Sequence, residues 1–273
     1  MSSPKIAVVG SVNLDLVVQC EQLPRPGETL SGATFGRYPG GKGANQAVAA
    51  SRLGAEVTFT TAVGRDSFAE EALAGLREAG VAMRVVERDA PTGVALIEVS
   101  AEGETTIVVA PGANAELRAD DVDVRDADAV LCQLEIPDAA VHAAADQAGF
   151  LCLNAAPARR VNVEPDLLVV NRLEWEALGD TGKLTAVTLG AEGAVLFEGG
   201  EEVARAVPPR VDVVDGTAAG DAFTACLLVS LFEGRAREEA LHRACAAGAL
   251  AASRAGAQPS LPTAAEVDAI LPG

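Results

Sequence analysis

Four short and almost uninterrupted apolar runs, at residues 129–134, 150–153, 167–170 and 185–189, constrain the fold more than anything else in this sequence. A strand with one wet face alternates apolar and polar residues. A strand that is apolar throughout is covered on both faces, as in a parallel sheet flanked by helices. Stretches with helical spacing lie between several of these runs, including residues 138–148. The amino-terminal half keeps the same rhythm. A β-branched run at 6–9 ends in Gly10, and an Ala-rich helical stretch at 44–53 is closed by Gly54 as a C-cap. Residues 57–63 read as a strand. Residues 66–79 have an acidic start, apolar side chains at Phe68, Leu73 and Leu76, and Gly80 at their end. Strands alternating with helices predict an α/β fold, a doubly wound and mostly parallel sheet with right-handed crossovers. No linker or repeat interrupts residues 1–273, so a single domain is expected.

Two segments break the rhythm. Residues 14–35 and 93–109 read as antiparallel hairpin material with no crossover helix after either, the second with a turn at Glu102 and Gly103. They are expected to leave the main sheet and form a small lid of about residues 14–36 and 93–109. Extra edge strands on the main sheet are the alternative. The carboxyl end is helical at 218–232, 238–254 and 263–270, with Pro259 and Pro262 between the last two.

Several function classes fall away on composition. The formal net charge is −18 and there is no run of Lys or Arg, which argues against nucleic acid as a partner. The apolar stretches 224–232 and 244–252 are far shorter than the roughly 18 residues of a spanning helix, so no membrane partner is expected. The amino end lacks the pattern of a signal peptide. The five cysteines are widely spaced without a CxxC pair, and read as reduced, mostly buried thiols of a cytoplasmic protein. The two histidines, His142 and His242, carry no zinc signature.

Three segments can carry chemistry. Pro39-Gly40-Gly41-Lys42-Gly43-Ala44-Asn45-Gln46 places glycines just before a helix, where unpaired N–H groups can meet a polar ligand. It has P-loop spacing from Gly36, but Gly43 stands where a Ser or Thr must hold magnesium. It also begins a dinucleotide fingerprint that Gln46 breaks. A plain Gly-rich helix start remains the simpler alternative. In the second segment, residues 214–223, small residues precede an apolar helix. The amides of Ala218, Ala219, Gly220 and Asp221 are expected to be free and to converge as an anion hole. Asp221, kept ionised by the helix end, could accept a proton from a hydroxyl, or could simply cap the helix. Third, Asn13 and Asp15 follow the first buried strand and point the same way in extended chain, suiting adjacent hydroxyls of a polyol. An Asx turn explains them as well. Glu135 also stands just beyond a buried strand.

Taken together and in order, these motifs resemble the ribokinases of the PfkB carbohydrate-kinase family nearly end to end. The likeness rests on residues 10–15, on the stretch GGKGANQAVAA at 40–50 and on Gln133-Leu134-Glu135. It continues through residues 153–159, 214–223 and Gly256-Ala257-Gln258-Pro259-Ser260. The resemblance implies a ribokinase-like sheet with a small β lid. It also implies an ATP-dependent sugar kinase acting on the primary hydroxyl of a pentose, with D-ribose first among candidates. Another PfkB-type sugar or nucleoside kinase, or a non-catalytic sugar or nucleotide binder, stands as the alternative.

The resemblance implies roles too. Asp221 would be the base, with anion-hole amides from Ala218, Ala219 and Gly220. Asn13, Asp15, Gly41, Lys42, Asn45 and Glu135 would hold the sugar. Asn171, Glu174, Thr188, Gly190, Gly193 and Cys245 would line the nucleotide site, with Glu174 acting through water on magnesium or phosphate. An activating K+ would meet Asp215, Thr217, Ala251, Arg254, Gly256 and Ser260, mostly through carbonyls. Mg2+ would arrive with ATP, and a homodimer would form through the lids. Two departures stand out. The connection from Arg172 to Lys183 is short for the family and predicts a poorly covered sheet near the nucleotide. Cys245 stands where a polar residue is common.

Overall fold

The structure is a computed structural model and describes residues 3–179 and 182–271. In β1 (Lys5–Val9), Ile6 and Val8 enter one core cluster while Ala7 and Val9 enter another. This is the two-residue period of a strand buried on both faces. The chain then leaves for β2 (Asn13–Cys20) and β3 (Thr34–Gly40). It returns through α1 (Lys42–Arg52), β4 (Glu56–Gly64), α2 (Ser67–Ala72), α3 (Ala74–Glu78) and β5 (Ala82–Arg88). A second excursion, β6 (Gly93–Ser100) and β7 (Thr105–Ala110), precedes β8 (Ala129–Gln133), α4 (Asp138–Gln147), β9 (Leu151–Asn154) and β10 (Leu167–Asn171). After α5 (Arg172–Leu178) come β11 (Leu184–Thr188), β12 (Ala194–Glu198) and β13 (Glu201–Ala206). The helices α6 (Ala219–Phe232), α7 (Arg237–Ala252) and α8 (Ala264–Ile270) follow.

Nine strands form the main sheet in the order β13-β12-β11-β10-β9-β8-β1-β4-β5. The strands from β5 to β11 are parallel, and β12 and β13 continue the sheet antiparallel. The predicted doubly wound, mostly parallel sheet is therefore present. The chain builds outward from β1 to β4 and β5, then comes back to lay β8 on β1's other flank. Such a reversal opens a crevice beyond the carboxyl ends of the two central strands. Helices α1, α6, α7 and α8 supply one core cluster and α4 the other. Helix α6 is apolar all round because it is buried between α1 and α7, not merely laid on a surface.

The two aberrant segments form a separate four-stranded sheet in the order β3-β2-β6-β7. β2 and β6 pair in parallel, with Asn13 opposite Gly93, and each carries an antiparallel partner outside it. One expectation needs correction. Residues 66–79 are two short helices broken at Leu73. Gly75, just past the break, lies so close to Gln258 that a Cβ there would sit 1.9 Å from its Oε1. The connection from Arg172 to Lys183 carries only the seven-residue α5, none of whose residues is buried. Cover on this part of the sheet is therefore thin and comes mainly from Trp175, which stacks on Phe197 of β12 at a centroid distance of 5.4 Å. Asp180 and Thr181 of that connection lie outside the described residues.

Candidate active site

Polar side chains gather where β1, β8 and β9 end and where α1 and α6 begin. Two glycines allow it. Gly41 caps α1 at φ 90°, and a Cβ on it would lie 2.8 Å from the Asn13 amide nitrogen. Gly43 rests on the turn after β1, where a Cβ would approach Ser11 N to 2.6 Å. Ala44 N then donates to Ser11 O at 2.9 Å and ties α1 to the end of β1. The first residue of α1 is thus fixed over the crevice between β1 and β8.

Asp221, in the first turn of α6, is 6% exposed. Its Oδ2 accepts from Asn45 Nδ2 at 3.0 Å and its Oδ1 from Gln46 Nε2 at 2.9 Å. The helix end does not keep this carboxyl in the ordinary range, as the sequence had suggested. Burial pushes its pKa up, and Lys42, Asn45 and Gln46 pull back only part of that shift while Glu135 adds to it. A carboxylate raised in this way is a better proton acceptor than an ordinary surface aspartate.

The other proposed sugar ligands surround it. Lys42 is half-buried, and loss of water lowers its pKa, but Asp221, Glu135 and Glu174 more than offset this and leave the ammonium above its usual value. It therefore stays charged. Glu135 Oε2 accepts from Ser11 Oγ at 2.6 Å and from Lys42 N at 3.2 Å. Asp15 is raised to about 7, by burial first and then by Glu135 and Asp221. Asn13 is buried, and its Oδ1 accepts from Asn114 Nδ2 at 2.8 Å. Asn114 is itself fixed, taking Val12 N on its Oδ1 and giving a second bond to Val12 O. The Asn13 oxygen is thereby committed, which leaves its N–H groups for a ligand.

The start of α6 departs from expectation in one respect. The first i→i−4 bond runs from Ala222 N to Ala218 O, but Ala219 N donates to Gly216 O at 3.3 Å and is not free. Gly220 and Asp221 precede the helical ladder as anion-hole donors should. Ala218 sits in the left-handed region at φ 60°, a conformation that costs a non-glycine residue about 1 kcal/mol or more and that clusters at functional sites. Residues 216–220 are exposed or half-buried, so this turn faces open space.

On the neighbouring rim, Asn171 and Glu174 make a reciprocal cap on α5. Asn171 Oδ1 accepts from Glu174 N at 2.9 Å, and Glu174 Oε2 from Asn171 N at 2.7 Å. Burial raises Glu174, with the Asn171 amide and Lys42 opposing. Thr188 Oγ1 leans on Val170 O, and Gly190 and Gly193 close a tight turn through Gly193 N to Gly190 O. Cys245 is buried, with Sγ 3.8 Å from Ala206 O and its thiol pushed up to about 12 by burial and by Cys226, so it is a thiol and not a charged ligand. Asp215 joins two loops, accepting from Thr217 N at 2.9 Å and from Gly256 N at 2.8 Å. Those bonds hold it below its ordinary pKa despite burial. Ala251, Arg254 and Ser260 stand on the same tail. The Arg254 side chain is taken by Glu266 and Ser260 Oγ donates to Ala257 O, so backbone oxygens are what this region offers a cation.

Sequence reasoning gave no role to Ser11, Gln46, Asn114, Gln133 or Asn154, all of which are buried here. Gln133 and Asn154 end β8 and β9 opposite one another. A polar residue closing an apolar run was the available signal. A groove of about 620 Å³ lined by His142, Asp146, Glu164, Asp166 and Lys183 among others opens at the amino ends of β9 to β11. It lies at the end of the sheet opposite the crevice.

Residues 3–264 match the profile of the pfkB family carbohydrate kinases, which takes in every element from β1 to the start of α8. The chain belongs to the PfkB family. Within it, the chain is 37% identical to the ribokinase of Bacillus subtilis, over 97% of this chain and 99% of that one. It is 34% identical to the ribokinase of Haemophilus influenzae, over 94% and 95%. Its fold superimposes on a solved ribokinase of Thermotoga maritima with a TM-score of 0.90, at 32% identity and covering 98% and 99% of the two chains. It also superimposes on Arabidopsis thaliana ribokinase complexed with ribose and ATP, with a TM-score of 0.85, 30% identity and 98% of both chains covered.

Proposed function

We propose that this PfkB kinase transfers the terminal phosphoryl group of ATP to the primary hydroxyl of D-ribose, giving ribose 5-phosphate. The observation that carries it is the buried, pKa-raised Asp221 at the head of α6, beside the exposed turn 216–220 and within reach of Lys42 and Asn45. Alignment over nearly the full length of a ribokinase, and superposition on a ribokinase complexed with ribose and ATP, support the substrate.

In this reading Asn13, Asp15, Gly41, Lys42, Asn45 and Glu135 hold the sugar hydroxyls, and Asp221 takes the proton of the attacking one. Amides of Gly220 and Asp221, with the turn at Ala218 and Ala219, face the charge on the phosphoryl group, and the Lys42 ammonium adds to that field. Asn171, Glu174 and the turn from Thr188 through Gly190 to Gly193 line the nucleotide side, with Cys245 packed behind. Mg2+ enters with ATP. Asp215 and carbonyls of Thr217, Ala251, Arg254, Gly256 and Ser260 would supply the oxygen donors that suit K+, and the ion would add positive charge beside the anion hole.

The small sheet acts as a lid on the single ribokinase-like domain, with closure excluding water that would compete for the phosphoryl group. Its register places Phe35, Leu96 and Val108 on the face away from Asn13 and Asp15, and all three are exposed. This apolar face fits a second copy of the chain, and so a homodimer through the lids. No helix among the described residues is long and apolar enough to cross a membrane. Use of ATP and five free cysteines fit a cytoplasmic setting.

The test is a substrate panel with ATP, Mg2+ and K+, comparing ribose, 2-deoxyribose, fructose and nucleosides. Ribose should be phosphorylated with the highest kcat/KM. No turnover on any of them would sink the kinase reading, and a higher kcat/KM on another acceptor would replace the substrate.

A further inference from the structure

Asp221 is one end of a chain of buried amides whose direction is fixed from the other end. Val169 O, a backbone carbonyl, can only accept, and it takes Asn154 Nδ2 at 3.1 Å. Asn154 Oδ1 must then face Gln46, and it accepts from Gln46 Nε2 at 2.9 Å. The same Gln46 nitrogen gives its second hydrogen to Asp221 Oδ1 at 2.9 Å. Gln46 Oε1, pointing the other way, accepts from Gln133 Nε2 at 2.6 Å. All three amides are buried, Gln46 and Gln133 completely. Turning any one of them over would set oxygen against oxygen, and turning Gln46 would require Asp221 to be protonated.

We propose that Gln46, Gln133 and Asn154 are positioning residues that commit Asp221 Oδ1 to acceptance and leave Oδ2 as the atom that receives the substrate proton. The proposal rests on the kinase reading above. Among the described residues Oδ2 is held only by Asn45, whose own Oδ1 has no partner there and is available to a sugar hydroxyl. In the transfer, the sugar oxygen bonds to the terminal phosphorus. The bond from that phosphorus to the bridging oxygen breaks with its electron pair leaving on ADP. The hydroxyl proton passes to Oδ2.

The chain also bears on when Asp221 is ready. Facing this carboxyl are Lys42 of α1, Glu135 after β8 and Asp15 of β2, with Asn45 and Gln46 as neutral donors. Burial raises its pKa, and the Gln46 N–H favours the ionised form against that. Removing the donor therefore moves Asp221 further up, so the acid limb of kcat/KM shifts to higher pH.

The experiment compares wild type, Gln46→Leu, Gln133→Met, Asp221→Asn and the double variant Asp221→Asn/Gln46→Leu, with ribose as acceptor and thermal melts as the folding check. Gln46→Leu should lower kcat at least about tenfold, change KM for ribose by less than about threefold, and move the acid limb up by about one pH unit. Gln133→Met should move the limb the same way by less, and it replaces Gln46→Leu if that variant does not fold. In the Asp221→Asn background, Gln46→Leu should cost less than about twofold, because no base is left to orient. An unmoved acid limb, or an equal loss of rate in both backgrounds, would overturn the relay alone. A near-normal rate for Asp221→Asn would overturn the base assignment and the relay with it.

Discussion

Asp15 shows what the proposed sugar site costs the free protein. Its carboxyl has an ordinary value of 3.8 and is raised to about 7, by burial and by the neighbouring Glu135 and Asp221. An acid whose folded pKa lies above its unfolded value destabilises the fold once it ionises. The penalty is absent below about pH 4, grows as pH rises towards 7, and is complete above it. A shift of that size corresponds to at most ~4 kcal/mol. Asp15→Asn should therefore raise Tm more at pH 8 than at pH 5 in sugar-free protein, while KM for ribose rises at least about tenfold. Equal gains in Tm at the two pH values would show that the carboxyl is not strained. Ala218 illustrates a second local cost, a left-handed alanine held at the entry to α6.

The carboxyl-terminal helices are joined by one cation. Arg243 of α7 is 1% exposed, and its guanidinium reaches Asp268 of α8 at 2.8 Å, Ser230 of α6 at 2.8 Å and Glu233 just after α6 at 3.1 Å. A buried charge that loses its partners is expensive, and so are partners that lose the charge. Arg243→Met should cost ~3 kcal/mol, visible as a lower midpoint in urea unfolding, with KM for ribose unchanged because the residue is remote from the crevice. A loss below about 1 kcal/mol would mean that the triad is merely neutral.

The elements legible in the sequence were those whose environment leaves one solution. β1 and β8 to β11 are almost wholly apolar and declare themselves, and β4 is marked by its β-branched and aromatic residues. β5 and β13 lie at the sheet's edges, where half-exposed residues such as those of AMRVVER carry no clear period. Asp221, Lys42 and Asn13 were legible because their motifs are compact. Gln46, Gln133 and Asn154 were not, because they meet Asp221 and one another only through contacts 87 to 175 residues apart. A glutamine inside a helix reads as surface until the fold encloses it.

For the whole molecule, the small sheet presents apolar side chains to water on a chain that otherwise carries a net charge of −18. If the lids pair, the Phe35→Glu/Val108→Glu variant should run as a monomer in light scattering where the parent runs as a dimer. A parent that is monomeric at all concentrations would remove the pairing. The double variant should keep its main-sheet core, since both residues are exposed and lie on the small sheet only.

β2 springs from the crevice itself. Its first residue is Asn13, paired with Gly93 at the root of β6, and the strand runs on for eight residues. At about 3.3 Å per residue the arm is ~26 Å long, so a swing of about 10° at its base carries the tip 4–5 Å. The fulcrum of that lever is the very peptide whose side chain is proposed to meet the sugar. In the lid reading proposed above, grip and closure become one mechanical event, and a ligand that pulled on Asn13 by a fraction of an ångström would be heard at the far end of the arm.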